Sequence, residues 1–453
     1  MDSASKKFKY HSLFKFCACI SACLALNAQA SDPKGGSSQW MLGDWNGKRT
    51  ELLEQGVDVI ANYAHEMAYN AKGGYSSDKT VKYANNIELG TQLDLEKLMG
   101  MNDASFRFVV SNRNGSDLTV ERLVDPRTGQ VGSTTEVAGR GQVWRLSQLW
   151  FEQSYFERAL DWKIGRVSPN EDFQDFPCTF QNLSFCSSQA GVWVSRVWYG
   201  YPVSTWGTRL RYHMTPETFF QVGAFLNNER YTETDQGFNL STKGSNGTNV
   251  PIEFVWKPKH GLMGLPGEYR VGAFHMNVEA PDISKDANGR PMAMSGLNAK
   301  NRSSRDGVWF IGRQQIAWFD DVSSRPLEVF AQAHLYDRDT SFVDRFYSAG
   351  IIATGIWSSR PTDQIGFAIS NTHINDRLRD HQKMLNEQRG VTDYNDPSFT
   401  PVQRSQWDAE IFYGVKPTKW LTLRPNIQYV RHPGAVNEVD DALVVGLKIL
   451  TNF

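Results

Sequence analysis

Connections that alternate between short and long constrain this chain more than any single motif. Segments with a period of two, the mark of a β-strand, begin near Val57, Thr80, Ala104, Arg145, Leu160, Ser204, Glu217 and Thr248. The series continues near Gly267, Arg305, Pro326, Phe342, Asp363, Ser405, Lys419 and Asp441. Links after its even-numbered members are tight, at 98–103, 157–159, 214–216, 319–325, 358–362 and 417–418, with a middling one at 258–266. Most of the others are long: 114–143, 167–203, 227–247, 278–304 and 373–404. A soluble sandwich has no reason to sort its loops by parity. A membrane barrel does, with tight turns at its periplasmic end and extended loops outside. The spacing therefore predicts an all-β fold, a transmembrane antiparallel β-barrel of about sixteen strands over 57–453.

The faces agree with a barrel. Trp206, Thr208, Leu210 and Tyr212 alternate with Gly207, Arg209, Arg211 and His213. Leu327, Val329, Ala331, Ala333 and Leu335 alternate with Glu328, Phe330, Gln332, His334 and Tyr336. Similar alternation sets Asp408, Glu410 and Arg424 on a polar side. In a closed barrel that side must face a polar lumen, because lipid penalises each charge by a few kcal/mol. Segments 145–156 and 308–318 do not sort cleanly between lumen and lipid. The chain ends on Leu443, Val445, Leu447, Ile449, Thr451 and Phe453, one face of a last strand. Chain ends fray unless something ties them down, and a barrel pairs its last strand with its first. Phe453 then enters the aromatic girdle and resembles the terminal aromatic that such barrels present to their insertion machinery.

Composition excludes several alternatives. Net charge is −1, which leaves no electrostatic footprint for nucleic acid. Mean hydropathy is −0.46, and no apolar run after the N-terminus nears the ~18 residues of a membrane helix. Lys6, Lys7 and Lys9 precede an apolar stretch over 13–26 and then Ala28-Gln29-Ala30, the pattern of a cleaved signal peptide over 1–30. Ile20-Ser21-Ala22-Cys23 also has the form of a lipoprotein cleavage box, but the apolar run continues past Cys23. Either route leads out of the cytoplasm, and residues 31–56 become a short periplasmic segment before the barrel. Cys17, Cys19 and Cys23 fall inside the signal, so Cys178 and Cys186 remain and suggest a disulfide. Nothing near them supplies further metal ligands, and no cofactor is expected.

Three landmarks, in order along the chain, resemble the carbohydrate-selective OprB porins of Gram-negative outer membranes. "GDWNGKRTELLEQGVDV" at 43–59 resembles the opening of the mature family members, and "RPNIQYVRHPG" at 424–434 their C-terminal signature. Between them, "DWKIGRVSPNEDFQDFPCTFQNLSFC" at 161–186 is similar to the family's strand and inward-folded loop. The resemblance spans nearly the whole mature chain. It implies a 16-stranded barrel in the outer membrane, through which small sugars such as glucose diffuse into the periplasm. The polar insertions at 276–305 and 373–404 need not match any one member, so loop-dependent selectivity is not carried over.

A diffusion pore selects by width, by lining groups and by the sign of its field. Residues 168–191 form the natural constriction, since the segment is long, follows a strand and holds both mature cysteines. It is acidic at Glu171, Asp172 and Asp175, and aromatic at Phe173, Phe176, Phe180 and Phe185. A Cys178–Cys186 bridge would stabilise it by about 2–3 kcal/mol on the chain-entropy model, although the same bridge could staple an external loop. Sugars offer hydroxyls to charged partners and C–H faces to rings. The candidate lining residues are Arg166, Arg209, Arg211, Glu328, His334, Asp408, Glu410 and Arg424, with Trp193 or Trp198 as the stacking face. Each can equally be an ordinary wall charge paired with a neighbour.

Expected partners are small sugars, outer-membrane lipid with lipopolysaccharide, and the insertion machinery. A homotrimer stays open, since no residue demands it. A general, non-selective porin and a barrel enzyme are the competing readings. The enzyme is disfavoured because neither G-x-S-x-G nor H-E-x-x-H occurs.

Overall fold

The computed structural model describes residues 38–453 apart from 188 and 320–324. The signal-peptide reading of 1–30 lies outside these residues, as does most of the 319–325 turn. Among the described residues, eighteen strands follow in chain order. The first nine are β1 (Val57–Gly74), β2 (Val81–Asp94), β3 (Ala104–Gly115), β4 (Trp144–Tyr155), β5 (Leu160–Val167), β6 (Thr205–Thr215), β7 (Thr218–Asn227), β8 (Gly247–Trp256) and β9 (Gly267–Met276). The rest are β10 (Ala280–Asp286), β11 (Ala299–Arg302), β12 (Arg305–Trp318), β13 (Pro326–Tyr336), β14 (Val343–Thr354), β15 (Gln364–Ile374), β16 (Ser405–Thr418), β17 (Leu421–Arg431) and β18 (Asp440–Asn452). All but β10 and β11 form one closed antiparallel barrel of sixteen strands. The other two make a hairpin in the long connection between β9 and β12. Every strand start anticipated from the sequence lies within two residues of the observed one.

Closure is made by β1 and β18, in register from Asn62 opposite Asn452 to Asn70 opposite Val444 and then, through irregularities around Lys72, to Gly74 opposite Asp440. A short helix α1 (Lys48–Glu54) covers this seam at the short-turn end. Its Arg49 is buried and donates to the carbonyl of Phe453 and, at 2.8 Å, to that of Val59. The same guanidinium lies 4.3 Å from the Trp40 ring and 5.2 Å from the Trp45 ring. The terminal Phe453 amide donates to Ala61 at 2.8 Å. The last residue is therefore held by both strand pairing and an arginine clamp.

The register assigns faces to the two segments that would not sort. Along β3 and β4 the pairing passes from Val109–Gln148 to Val110–Leu146, leaving Ser147 as an extra residue. A bulge of this kind shifts parity. Arg145 faces inward on one side of it, and Gln148, Trp150 and Glu152 on the other. In β12, Val308 and Phe310 are exposed to lipid while Trp309 and Ile311 are buried inward. Apolar residues lie on both faces there, so alternation cannot show.

Those inward apolar residues exist because the lumen holds protein. Residues 168–187 and 189–204 between β5 and β6 fold inside the barrel. Phe173, Phe176, Phe180 and Phe185 join Phe225, Phe274, Trp309, Phe330 and Phe412 of the wall in one buried cluster. Phe180 meets Phe412 and Phe176 meets Phe330, each with ring centroids 5.0 Å apart. Part of the lumen is thus a packed apolar core.

The clamp on the seam generates a direct test. Hydrogen bonds from a charged donor are worth about 1.5–3 kcal/mol each, so Arg49→Met, which removes two, is expected to cost about 3–6 kcal/mol. The measurement is the temperature at which the folded, fast-migrating band in a detergent gel converts to the unfolded one. It should fall, with the barrel still closed at room temperature.

Candidate functional site

The inward loop opens on a turn whose sequence explains its shape. Ser168 caps the helical turn Pro169–Glu171, and its amide donates to Glu171 Oε1 at 3.2 Å. Proline suits the first helical position because its missing N–H would be unpaired there anyway. The next residue, Asp172, is buried against three wall cations. Lys163 Nζ lies at 3.1 Å, Arg211 Nη2 at 3.2 Å and Arg209 Nη2 at 3.3 Å. Burial alone would raise this carboxyl, but Lys163, Arg209 and Arg211 outweigh it and hold it well below the usual range. Arg209 also pairs with Glu152 at 2.5 Å.

Further along, wall carboxylates receive the loop's backbone amides. The amide of Gln174 donates to Glu253 at 3.1 Å, where Trp309 Nε1 also donates at 2.8 Å and Arg270 at 3.0 Å. Arg270 reaches Asp175 at 3.2 Å. The amides of Gln181 and Asn182 donate to Glu410 at 2.9 and 2.7 Å, and Ser184 Oγ to Asp408 at 3.1 Å. Arg424 donates to the Thr179 carbonyl at 3.1 Å. Cys178 and Cys186 are bridged, as the sequence suggested.

A second loop, residues 116–143 between β3 and β4, meets the first inside the barrel. Leu183 donates its amide to Ser133 at 2.9 Å, and Gln181 Nε2 to Thr134 at 3.0 Å. Lys448, buried in the wall, ties the two together. Its Nζ donates to Cys178 and Phe180 carbonyls at 3.1 and 3.0 Å, and pairs with Glu136 at 2.9 Å and Glu66 at 3.2 Å. Glu66 in turn accepts from the Val137 amide at 3.1 Å.

These anchors leave open space on the side of β1, β2 and β3. A cavity of about 720 Å³ runs there, within the roughly 300–1,000 Å³ of small-molecule sites. Glu88, Asn86 and Arg113 line it from the wall, Asp117, Glu136 and Arg140 from the second loop, and Asn170, Glu171, Trp193 and Tyr201 from the first. Arg113 donates to Ala138 at 3.2 Å and lies 5.7 Å from the Tyr201 ring. Burial, and then the charges of Arg113, Arg145 and Arg196, push the Arg140 guanidinium down. Glu171 is raised to about 7, chiefly by burial, and Asp117 to about 6 for the same reason.

Of the residues singled out from sequence, only Glu171, Trp193 and the two cysteines border this cavity. Asp172, Phe173, Asp175, Arg209, Arg211, Asp408, Glu410 and Arg424 make the loop's anchors instead. Trp198 is buried, bonding Asn170 through its indole N–H at 2.8 Å. His334 is buried against Tyr336 and Phe346, and Glu328 pairs with Arg313 at 3.5 Å. Arg166 corrects its expected place. The register aligns it with Leu149 and Trp206 on the outer face, where the loop between β7 and β8 covers it and the Tyr231 ring lies 4.0 Å away. Sequence reasoning missed Glu88, Arg113, Glu136, Arg140 and Tyr201. The available signals were the length of 114–143 and the alternation of Asn86 and Glu88 with Ile87 and Leu89.

Comparison with known proteins agrees with this architecture. The model of the carbohydrate-selective porin OprB family matches residues 78–453. Porin B of Pseudomonas aeruginosa is 45% identical over 426 residues, covering 94% of each chain. Putative porin QuiX of Acinetobacter baylyi is 36% identical over 421 residues, covering 92% of this chain and 93% of that one. The high-pH structure of Pseudomonas putida OprB superposes with a TM-score of 0.90 at 46% identity, covering 92% of this chain and 99% of that one. A closed barrel with protein folded into its lumen and a charged passage beside it thus comes with family-wide similarity, and the chain belongs to the OprB family of carbohydrate-selective porins of the Gram-negative outer membrane.

Proposed function

We propose that monosaccharides such as glucose cross through the cavity between β1–β3 and the two inward loops, and that its opposed charges and aromatic rings set the selectivity. The carrying observation is the composition of that wall. Arg113 and Arg140 border, together with Glu88, Asp117, Glu136 and Glu171, a space that also presents Trp193 and Tyr201. Charged side chains are strong hydrogen-bond partners for hydroxyls, and an aromatic face suits the apolar C–H side of a pyranose. Trp193 adds a buried indole N–H with no protein partner among the described residues. The anchoring residues act indirectly, by fixing the width of the passage. Residues 1–30 would serve as the export signal and Phe453 as the terminal aromatic read during insertion, with lipopolysaccharide around the outer rim.

Flux in proteoliposomes tests this reading. Glucose should enter markedly faster than an amino acid of similar size. Arg140→Ala should slow glucose about tenfold, the equivalent of one charge-assisted hydrogen bond, and leave the amino acid almost unaffected. Rates that follow size alone in both proteins would indicate a general porin.

The raised carboxyl gives a pH signature. Glu171 is neutral below about 7 and charged above it, so the cavity loses a negative charge as pH falls from 8 to 6. The cation-to-anion permeability ratio, read from reversal potentials, should therefore drop through that window. Glu171→Gln should remove the step near 7 and leave the smaller one near 6 from Asp117.

The Lys448 junction controls width. Removing the lysine alone would strand the buried Glu66 charge, so the informative variant is the double substitution Glu66→Gln with Lys448→Met. It should keep a heat-modifiable barrel and lose the clamp on the disulfide loop and Glu136. The expected readout is a several-fold rise in the disaccharide-to-glucose flux ratio.

A further inference from the structure

Arg140 is strained in its backbone and unpaired at its head. It stands at φ 69° between Gly139 at 91° and Gly141 at 76°, so a long side chain occupies the left-handed region that glycine fills without strain. A residue keeps such a conformation only where its surroundings over-determine it. Among the described residues the Arg140 guanidinium makes no hydrogen bond or ion pair, although the Tyr199 ring lies 5.9 Å away. The restraint acts on its carbonyl instead.

Arg145 supplies that restraint. This wall residue is 2% exposed, and its Nε and Nη2 donate to the Arg140 carbonyl at 3.2 and 2.9 Å. The same fork reaches the loop between β7 and β8. There Nη1 donates to the Tyr231 carbonyl at 2.9 Å, and Nη2 to that of Thr232 at 3.0 Å. Among the described residues none of its hydrogen bonds goes to a carboxylate, unlike those of Arg209, Arg211 and Arg270. A buried guanidinium directed at the carbonyls of two loops joins those loops. The outer one is itself firm. Tyr231 is buried with its hydroxyl donating to the Ser241 carbonyl at 3.0 Å, and Trp206 Nε1 donates to Leu240 at 2.8 Å. That loop also packs against the far flank of the tip, since a β-carbon at Gly141 would lie 2.6 Å from Thr234 Cγ2.

We propose that Arg145 is a positioning residue for the passage: it fixes the Gly139-Arg140-Gly141 tip to the outer loop 228–246, so that Arg140 is presented to the solute. The inference rests on the reading that sugars cross beside Arg140. Neither Arg145 nor residues 228–246 border the cavity, yet through this fork they set where the Arg140 head stands. Lysine has no equivalent. The planar guanidinium holds three carbonyls at fixed angles, whereas an ammonium is a point charge on a flexible stem. Selectivity then depends on a loop that the solute never touches.

The test compares the intact protein with Arg145→Lys, which keeps the charge and loses the fork, and with Gly141→Ala, which displaces the tip without altering the wall. Heat-modifiable migration checks each barrel, and fluxes of glucose and glutamine are read in proteoliposomes. Both variants should lower the glucose-to-glutamine ratio several-fold, and Arg145→Lys should change it no further once Arg140→Ala is present. An unchanged ratio in either variant would overturn the inference. So would an effect of Arg145→Lys that persists undiminished beside Arg140→Ala. Position is also read without sugar, by attaching a bulky thiol reagent at Arg140→Cys, since Cys178 and Cys186 are bridged. The resulting cut in ion conductance should be several-fold smaller with Arg145→Lys, and an equal cut would overturn the inference. Failure of Arg140→Ala alone to alter the flux ratio would instead sink the sugar path through this cavity, and the conductance would still decide whether Arg145 holds the tip.

Discussion

In hydrocarbon no water is present to pair backbone amides and carbonyls, so every one must find its partner inside the protein. That constraint decides the outside of this molecule. It requires sixteen strands to close, with β18 against β1, and it makes the C-terminus a structural member rather than a tail. It says nothing about the inside, which can be water or protein. Here part of it is packed protein and part is an open cavity.

The protein half depends on charge as much as on aromatic packing. A loop with little regular structure arrives in the lumen with unpaired amides, and a buried amide without a partner is costly. Wall carboxylates supply the acceptors: Glu253 for Gln174, and Glu410 for Gln181 and Asn182. Asp172 reverses the arrangement, bringing a loop anion to Lys163, Arg209 and Arg211. Much of the lumen charge visible in the strands is consumed in this way. It holds the loop and does not border the open cavity.

This explains what could be read from the sequence. Strand starts were legible because alternation and turn residues are local. Inward faces were legible at Arg209, Glu328 and Asp408 for the same reason. The face of 145–156 was not, because one extra residue, Ser147, shifts the parity and no local pattern marks it. The face of 308–318 was not, because Trp309 and Ile311 pack against a loop more than a hundred residues away in sequence. The passage itself was the least legible. Which wall charges are neutralised by the loop and which are left facing water depends on contacts between distant segments, such as Glu410 with Gln181. Arg113 and Arg140 differ from Arg209 and Arg211 in tertiary partner, not in sequence pattern.

The residues left facing water have a consequence that follows from their placement. Arg113 comes from the wall beside Glu88, Arg140 from one loop with Glu136, and Glu171 from the other loop, so both signs are distributed over several supports around the cavity. Glu136 is held by Lys448 at 2.9 Å, and the loop that carries Glu171 is fixed by the disulfide and by the same lysine. Charges kept apart in a narrow space with low-dielectric walls maintain a strong transverse field. Water and polyols, with several dipoles to orient, gain from that field without carrying net charge. An ion of either sign meets one favourable wall and one unfavourable one, and so gains less. On the reading proposed above, selectivity for neutral polar solutes would follow from rigid placement of these charges, and the packed part of the lumen supplies the rigidity.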